Sequence, residues 1–77
     1  MRLSALDVKM LHREMFETYD HAQLRAVGIR IREQYGRTES DRAENAERLE
    51  QLRNSYKARA AILERNDPRG HTNFPSR

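Results

Sequence analysis

The chain contains no cysteine, which excludes disulfides and thiolate metal sites together. Proline and glycine are sparse, and the stretch from Thr38 to Asn66 has neither, so no residue there punctuates a helix. Long hydrophobic runs are also missing. No segment approaches the ~18 apolar residues of a membrane span, and the first residues lack the roughly 7–15-residue apolar stretch of a secretory leader. The expectation is a cytoplasmic protein that does not engage a membrane. Aromatic residues make up only 6% of the chain. They fall in apolar stripes or near the C-terminus, not among the basic residues where a base-stacking surface needs them.

The inventory for chemistry is equally thin. Three histidines, His12, His21 and His71, are too few and too scattered for a structural zinc. Glu17 and His21 stand four apart and offer only two ligands. Ser55 and Tyr56 have no base beside them in the sequence, and there is no glycine-rich phosphate loop. A non-enzymatic protein is therefore expected, with no cofactor, no metal and no catalytic residue.

What the chain does have is charge and helical periodicity. Charged residues are 35% of its 77 positions and hydrophobic ones 36%, a balance between a globular domain and a charged coiled coil. Such a length allows one domain with a thin core. Without disulfides or metal, oligomerisation is the remaining means of reinforcing it. Arginine outnumbers lysine thirteen to two, which fits a GC-rich bacterial or phage coding source. The net charge of +3 is unevenly spread: residues 21–37 carry Arg25, Arg30, Arg32 and Arg37 against Glu33 alone, whereas residues 38–66 balance.

Three helices are expected, over about 5–19, 21–35 and 39–66, forming a single domain over 1–66 with a flexible tail over 67–77. Ser4 with Asp7 three positions on makes a capping box for the first. Ala5, Val8, Leu11, Met15, Phe16 and Tyr19 then share one face, with His12 inside that stripe, and Leu6 and Met10 project to the opposite side. Asp20 followed by Gln23 starts the second helix, which sets Leu24, Val27, Ile31 and Tyr35 on one face and ends at Gly36. Residues 26–32 also alternate in a strand pattern, but no second strand exists to pair with them. Thr38 and Asp41 open the third helix, acidic in its first half and basic in its second.

That third helix carries Leu49, Leu52, Tyr56, Ala60 and Leu63 in one line. At ~1.5 Å per residue it spans roughly 40 Å, longer than two short helices are expected to cover. Read as heptads it is coiled-coil-like, with polar Asn45 and Arg59 at core positions that disfavour an unbroken parallel zipper. The sequence thus points to a homodimer using Leu49, Leu52, Tyr56, Arg59 and Leu63.

Arg25 and Arg32 lie on one helix line and Arg30 and Arg37 on another, with Ile29 close to the first. Arginines framing an apolar anchor resemble binding hot spots in composition. The expected partner-binding surface combines Leu6, Met10, Arg25, Ile29 and Arg32, and the expected function is a small regulator, adaptor or inhibitor that docks on another protein. Two rivals stand beside it. One is a nucleic-acid-binding dimer using Arg25, Arg30, Arg32 and Arg37, weakened by the acidity of residues 39–50. The other is a structural subunit of a larger assembly such as a virion.

Overall fold

The structure, a computed structural model, describes residues 1–66; the tail expected over 67–77 lies outside them. Among the described residues the secondary structure is helical throughout, without a strand, in four helices: α1 Ala5–Phe16, α2 His21–Tyr35, α3 Glu39–Glu44 and α4 Ala46–Asn66.

α1 begins as its sequence suggests. The Asp7 amide donates to Ser4 Oγ (3.1 Å) and the Ser4 amide to Asp7 Oδ2 (3.1 Å), a reciprocal cap. It ends at Phe16 rather than Tyr19. The last turn tightens: Thr18 donates both its amide (3.3 Å) and its hydroxyl (2.6 Å) to Met15 O, the acceptor a continuing helix would offer to Tyr19. The Tyr19 amide donates instead to Gln23 Oε1 (2.6 Å) at the start of α2. Tyr19 is consequently exposed and leaves the apolar face assigned to it.

α2 has the expected bounds, capped by Asp20 accepting from the Gln23 amide (2.9 Å). Residues 26–32 are helix, and Leu24, Val27, Ile31 and Tyr35 are buried together.

The expected third helix is two. Thr38 caps α3 by accepting from the Asp41 amide (3.0 Å), and the helix stops at Asn45, where φ is −104° and ψ 13°. Asn45 is buried and its side chain joins three segments. Its Oδ1 accepts from the Leu3 amide (2.9 Å), and its Nδ2 donates to Met1 O (2.8 Å) and Tyr35 O (2.9 Å). The residue read as a polar coiled-coil position is a clasp inside one chain. The extended N-terminal segment lies in it, burying Leu3 to 1%. Arg48 also donates to Leu3 O (3.0 Å). Nearby, the Met1 α-ammonium bonds Asp41 (2.9 Å) and holds that carboxyl below its ordinary pKa.

Contacts between segments distant in sequence set the topology. Leu3 meets Asn45, His12 meets Ser55 and Thr18 meets Arg59, so α1 runs alongside α4 in the same direction. Gly28 faces Tyr56 and Gly36 faces Leu49, so α2 runs back between them. The α1–α2 hairpin therefore lies along the line read on the long helix. Leu52 and Leu63 are buried in the chain's own core, with Leu49, Tyr56 and Ala60 half-buried against it. The chain's own helices bury part of this line and leave part of it half-buried, and a coiled coil is not shown. Arg59, the other polar heptad position, serves α1: it donates to Thr18 O (2.5 Å) and its guanidinium lies 5.7 Å from the Phe16 ring centre.

Candidate functional site

Where α2 runs back across α4 the packing leaves a groove enclosing about 380 Å³, at the small end of ligand clefts. Its floor is apolar, formed by Met15, Ile31, Leu49, Leu52 and Tyr56. Its sides carry Arg25 and Arg32 from α2, Arg42 from α3 and Arg53 from α4, and no carboxylate lines it. Ile29, half exposed, stands at the lip. The side chains of Arg25, Arg32 and Arg53 form no hydrogen bond or ion pair with any described residue. Arg42 is held in place, donating to the carbonyls of Gly36 (3.1 Å) and Arg37 (3.4 Å). Four guanidinium groups beside an apolar floor favour a ligand that is both apolar and anionic, because arginine forks match carboxylates in geometry.

Gly28 shapes this groove. A Cβ at Gly28 would stand 2.8 Å from Tyr56 Cε2, closer than carbon atoms pack, so the bare backbone of α2 lets the Tyr56 ring lie flat against it. Glycine in a helix interior costs roughly 1 kcal/mol against alanine, and this close approach is what the residue provides in return. For Gly28→Ala we expect a stability change within about 1 kcal/mol of zero, as the propensity gain is offset by displacing the ring. In a Tyr56→Ala background the same substitution should show the full gain of about 1 kcal/mol. A urea-denaturation double-mutant cycle checks this, and equal effects in both backgrounds would refute the contact.

The five residues expected to form one partner surface divide between two. Arg25, Ile29 and Arg32 sit at the groove. Leu6 and Met10 are exposed on α1, and Met10 lines a separate cavity of about 450 Å³ with Asp7, Leu11, Arg13, Glu14, Glu17 and Tyr35. The two cavities share no lining residue. Burial pushes the Tyr35 phenol above its ordinary pKa; the Asp7 charge adds to this and Arg30 opposes it. The four arginines of the nucleic-acid rival separate as well. Arg30 pairs with Glu14 of α1, whereas Arg37 joins Arg32 and Arg42 around Gly36 in a polar hollow that adjoins the groove. Of the residues expected at a dimer interface, Leu49, Leu52 and Tyr56 form the groove floor, Leu63 is core and Arg59 is tied to α1. Arg42 and Arg53 were not foreseen at the site, since they reach it from other helices.

Ser55, which has no base near it in sequence, has His12 beside it in space, Nδ1 to Oγ 2.7 Å. The Ser55 hydroxyl also bonds Gln51 O (3.2 Å). The one serine proton serves either that carbonyl or the imidazole, according to which ring nitrogen of His12 carries its proton. The pair, with His12 stacked 4.7 Å from Phe16, links α1 to α4.

Among the described residues no three or more His, Asp or Glu side chains come together to hold a metal ion, and no helix is long and apolar enough to cross a membrane. Comparison with known proteins finds no match: no family model, no curated protein and no solved structure is significantly similar to the chain.

Proposed function

We propose that this chain is a non-enzymatic docking protein, a small regulator, adaptor or inhibitor that acts by holding an acidic amphipathic helix of another protein in the groove between α2 and α4. The supporting observation is the pairing of an apolar floor with Arg25, Arg32, Arg42 and Arg53 and no carboxylate. A helix laid in such a groove buries apolar anchors spaced three and four apart. Glutamates flanking those anchors would meet the guanidinium groups, three of which have no partner among the described residues. Complementary charge of this kind sets register and speeds association more than it adds affinity.

The test uses a fluorescent synthetic helix with leucine anchors at that spacing and glutamates on either side. Fluorescence anisotropy should show saturable binding in the micromolar range. Arg25→Glu with Arg53→Glu should weaken it at least about ten-fold, and a peptide with lysine replacing glutamate should not bind. DNA duplexes and single strands are titrated in parallel. Preference for a nucleic acid with a steep salt dependence would move the reading to the rival that uses Arg25, Arg30, Arg32 and Arg37. That rival is disfavoured by Glu39, Glu44, Glu47 and Glu50, which present like charge to a phosphate backbone. Failure of the acidic peptide to saturate would overturn the proposal.

A further inference from the structure

We propose that the polar hollow beside Gly36 binds a phosphoryl group carried on the docked helix, so that phosphorylation of the partner tightens its hold in the groove. This rests on the docking reading above and names a modification of the partner. Arg32 from α2, Arg37 from the turn after it and Arg42 from α3 line the hollow, with Glu33 as its one carboxylate. The side chains of Arg32, Arg37 and Glu33 form no hydrogen bond or ion pair with any described residue. Arg42 is held through one terminal nitrogen, Nη1, by the carbonyls of Gly36 and Arg37, and its Nε and Nη2 have no partner among the described residues. Three guanidinium groups against one carboxylate leave a net of +2, which a phosphate monoester at about −1.5 to −2 matches. A phosphoryl group also brings three acceptor oxygens, one for each guanidinium, where a carboxylate brings two.

The position of the hollow ties it to the groove. Gly28 faces Tyr56 and Gly36 faces Leu49, so Gly36 marks one end of the apolar floor, and the hollow shares Arg32, Gly36 and Arg42 with the groove. A helix seated on the floor therefore carries one of its ends past Arg32 and Arg42 toward Arg37. Arg37 lines the hollow and not the groove, whereas Arg25 and Arg53 line the groove and not the hollow. The apolar anchors and the phosphoryl group thus draw on separable residues. Glu33 repels any anion placed in the hollow, so its neutralisation is the counterpart of removing Arg37. A nucleic-acid phosphodiester carries one charge per phosphate and matches a net of +2 less well.

The test uses the leucine–glutamate helix with a serine near its first residue or near its last, each with and without a phosphoryl group, and reads fluorescence anisotropy. Phosphoserine at one of the two ends should tighten binding at least about ten-fold over serine, and at the other end by less than about three-fold. Arg37→Ala should cut the larger gain to about three-fold or less, while binding of the unphosphorylated helix changes by less than about two-fold. Glu33→Gln should enlarge the gain. Both residues are exposed, and circular dichroism confirms that each variant keeps its helical fold. No gain at either end, an equal gain at both, or a gain that survives Arg37→Ala overturns the inference. So does a single-stranded oligonucleotide that binds more tightly than the phosphorylated helix and loses that affinity in Arg37→Ala, which assigns the hollow to nucleic-acid phosphates. If the serine helices bind and the phosphoryl group adds nothing, the hollow is excluded and the docking reading stands. If neither form saturates, both fall.

Discussion

A chain carrying Leu52→Arg is expected to be unfolded at room temperature, with the far-ultraviolet helical signal lost and no cooperative melting transition. Leu52 is 2% exposed and packs in the core with Met15, Leu24 and Ile31. Losing a buried leucine costs about 2–5 kcal/mol, and an unpaired guanidinium buried in its place costs several more. A chain of this size has only about 3–10 kcal/mol of stability in total. Leu49→Arg is the informative contrast. Leu49 is half-buried in the groove wall, where a long side chain reaches water with its charged end. It should leave a folded protein, weaker by about 1–2 kcal/mol. If Leu52→Arg instead gives a stably folded chain, the burial of Leu52 described above is wrong.

That contrast marks how far local patterns carry. Helix α2 was legible to the residue, because its cap at Asp20, its buried line from Leu24 to Tyr35 and its stop at Gly36 are all signals within one turn of where they act. α1 was legible at its start for the same reason. Its end was not, because the decision turns on whether Thr18, through its amide and hydroxyl, or the Tyr19 amide takes the Met15 carbonyl, and both choices are compatible with the spacing of apolar residues. Periodicity identified Leu49, Leu52, Tyr56 and Leu63 as one face, yet it cannot say whose surface covers that face. A hairpin of two short helices laid lengthwise buries Leu52 and Leu63 and leaves Leu49, Tyr56 and Ala60 half-buried.

The site divides along the same boundary. Arg25, Ile29 and Arg32 occur within one helix, so their common surface follows from helical geometry. Arg30, only two residues from Arg32, turns away to meet Glu14, in keeping with its place on another helix line. Arg42 and Arg53 complete the groove from α3 and α4, and no spacing rule joins them to Arg25. The sequence also grouped Leu6 and Met10 with these arginines as apolar and exposed. Exposure was right and adjacency was not, since two outward-facing lines on different helices need not share a surface.

Asn45→Ala should destabilise the protein by about 2–4 kcal/mol, with the N-terminal segment through Leu3 released from the core. Each hydrogen bond made by the Asn45 side chain contributes about 0.5–1.5 kcal/mol net, and the buried Leu3 amide left without an acceptor adds a penalty of about 1–3. With about 4–8 °C per kcal/mol for a domain of this size, the melting temperature should fall by roughly 10–25 °C. Helix propensity predicts the reverse. Alanine favours the helix over asparagine by up to about 0.7 kcal/mol, and without the break α3 and α4 would join into the single helix that the sequence pattern suggests. The two effects differ in sign as well as size, so one melting curve separates them. Asn45→Asp sharpens the test: it keeps an acceptor for the Leu3 amide but loses the donor to Met1 O and Tyr35 O, placing a carboxylate against two carbonyls. It should be no better than alanine. An Asn45→Ala chain as stable as the parent would mean that the clasp contributes nothing. The long helix would then be straight, and the placement of Arg42 at the groove would lose its basis with it.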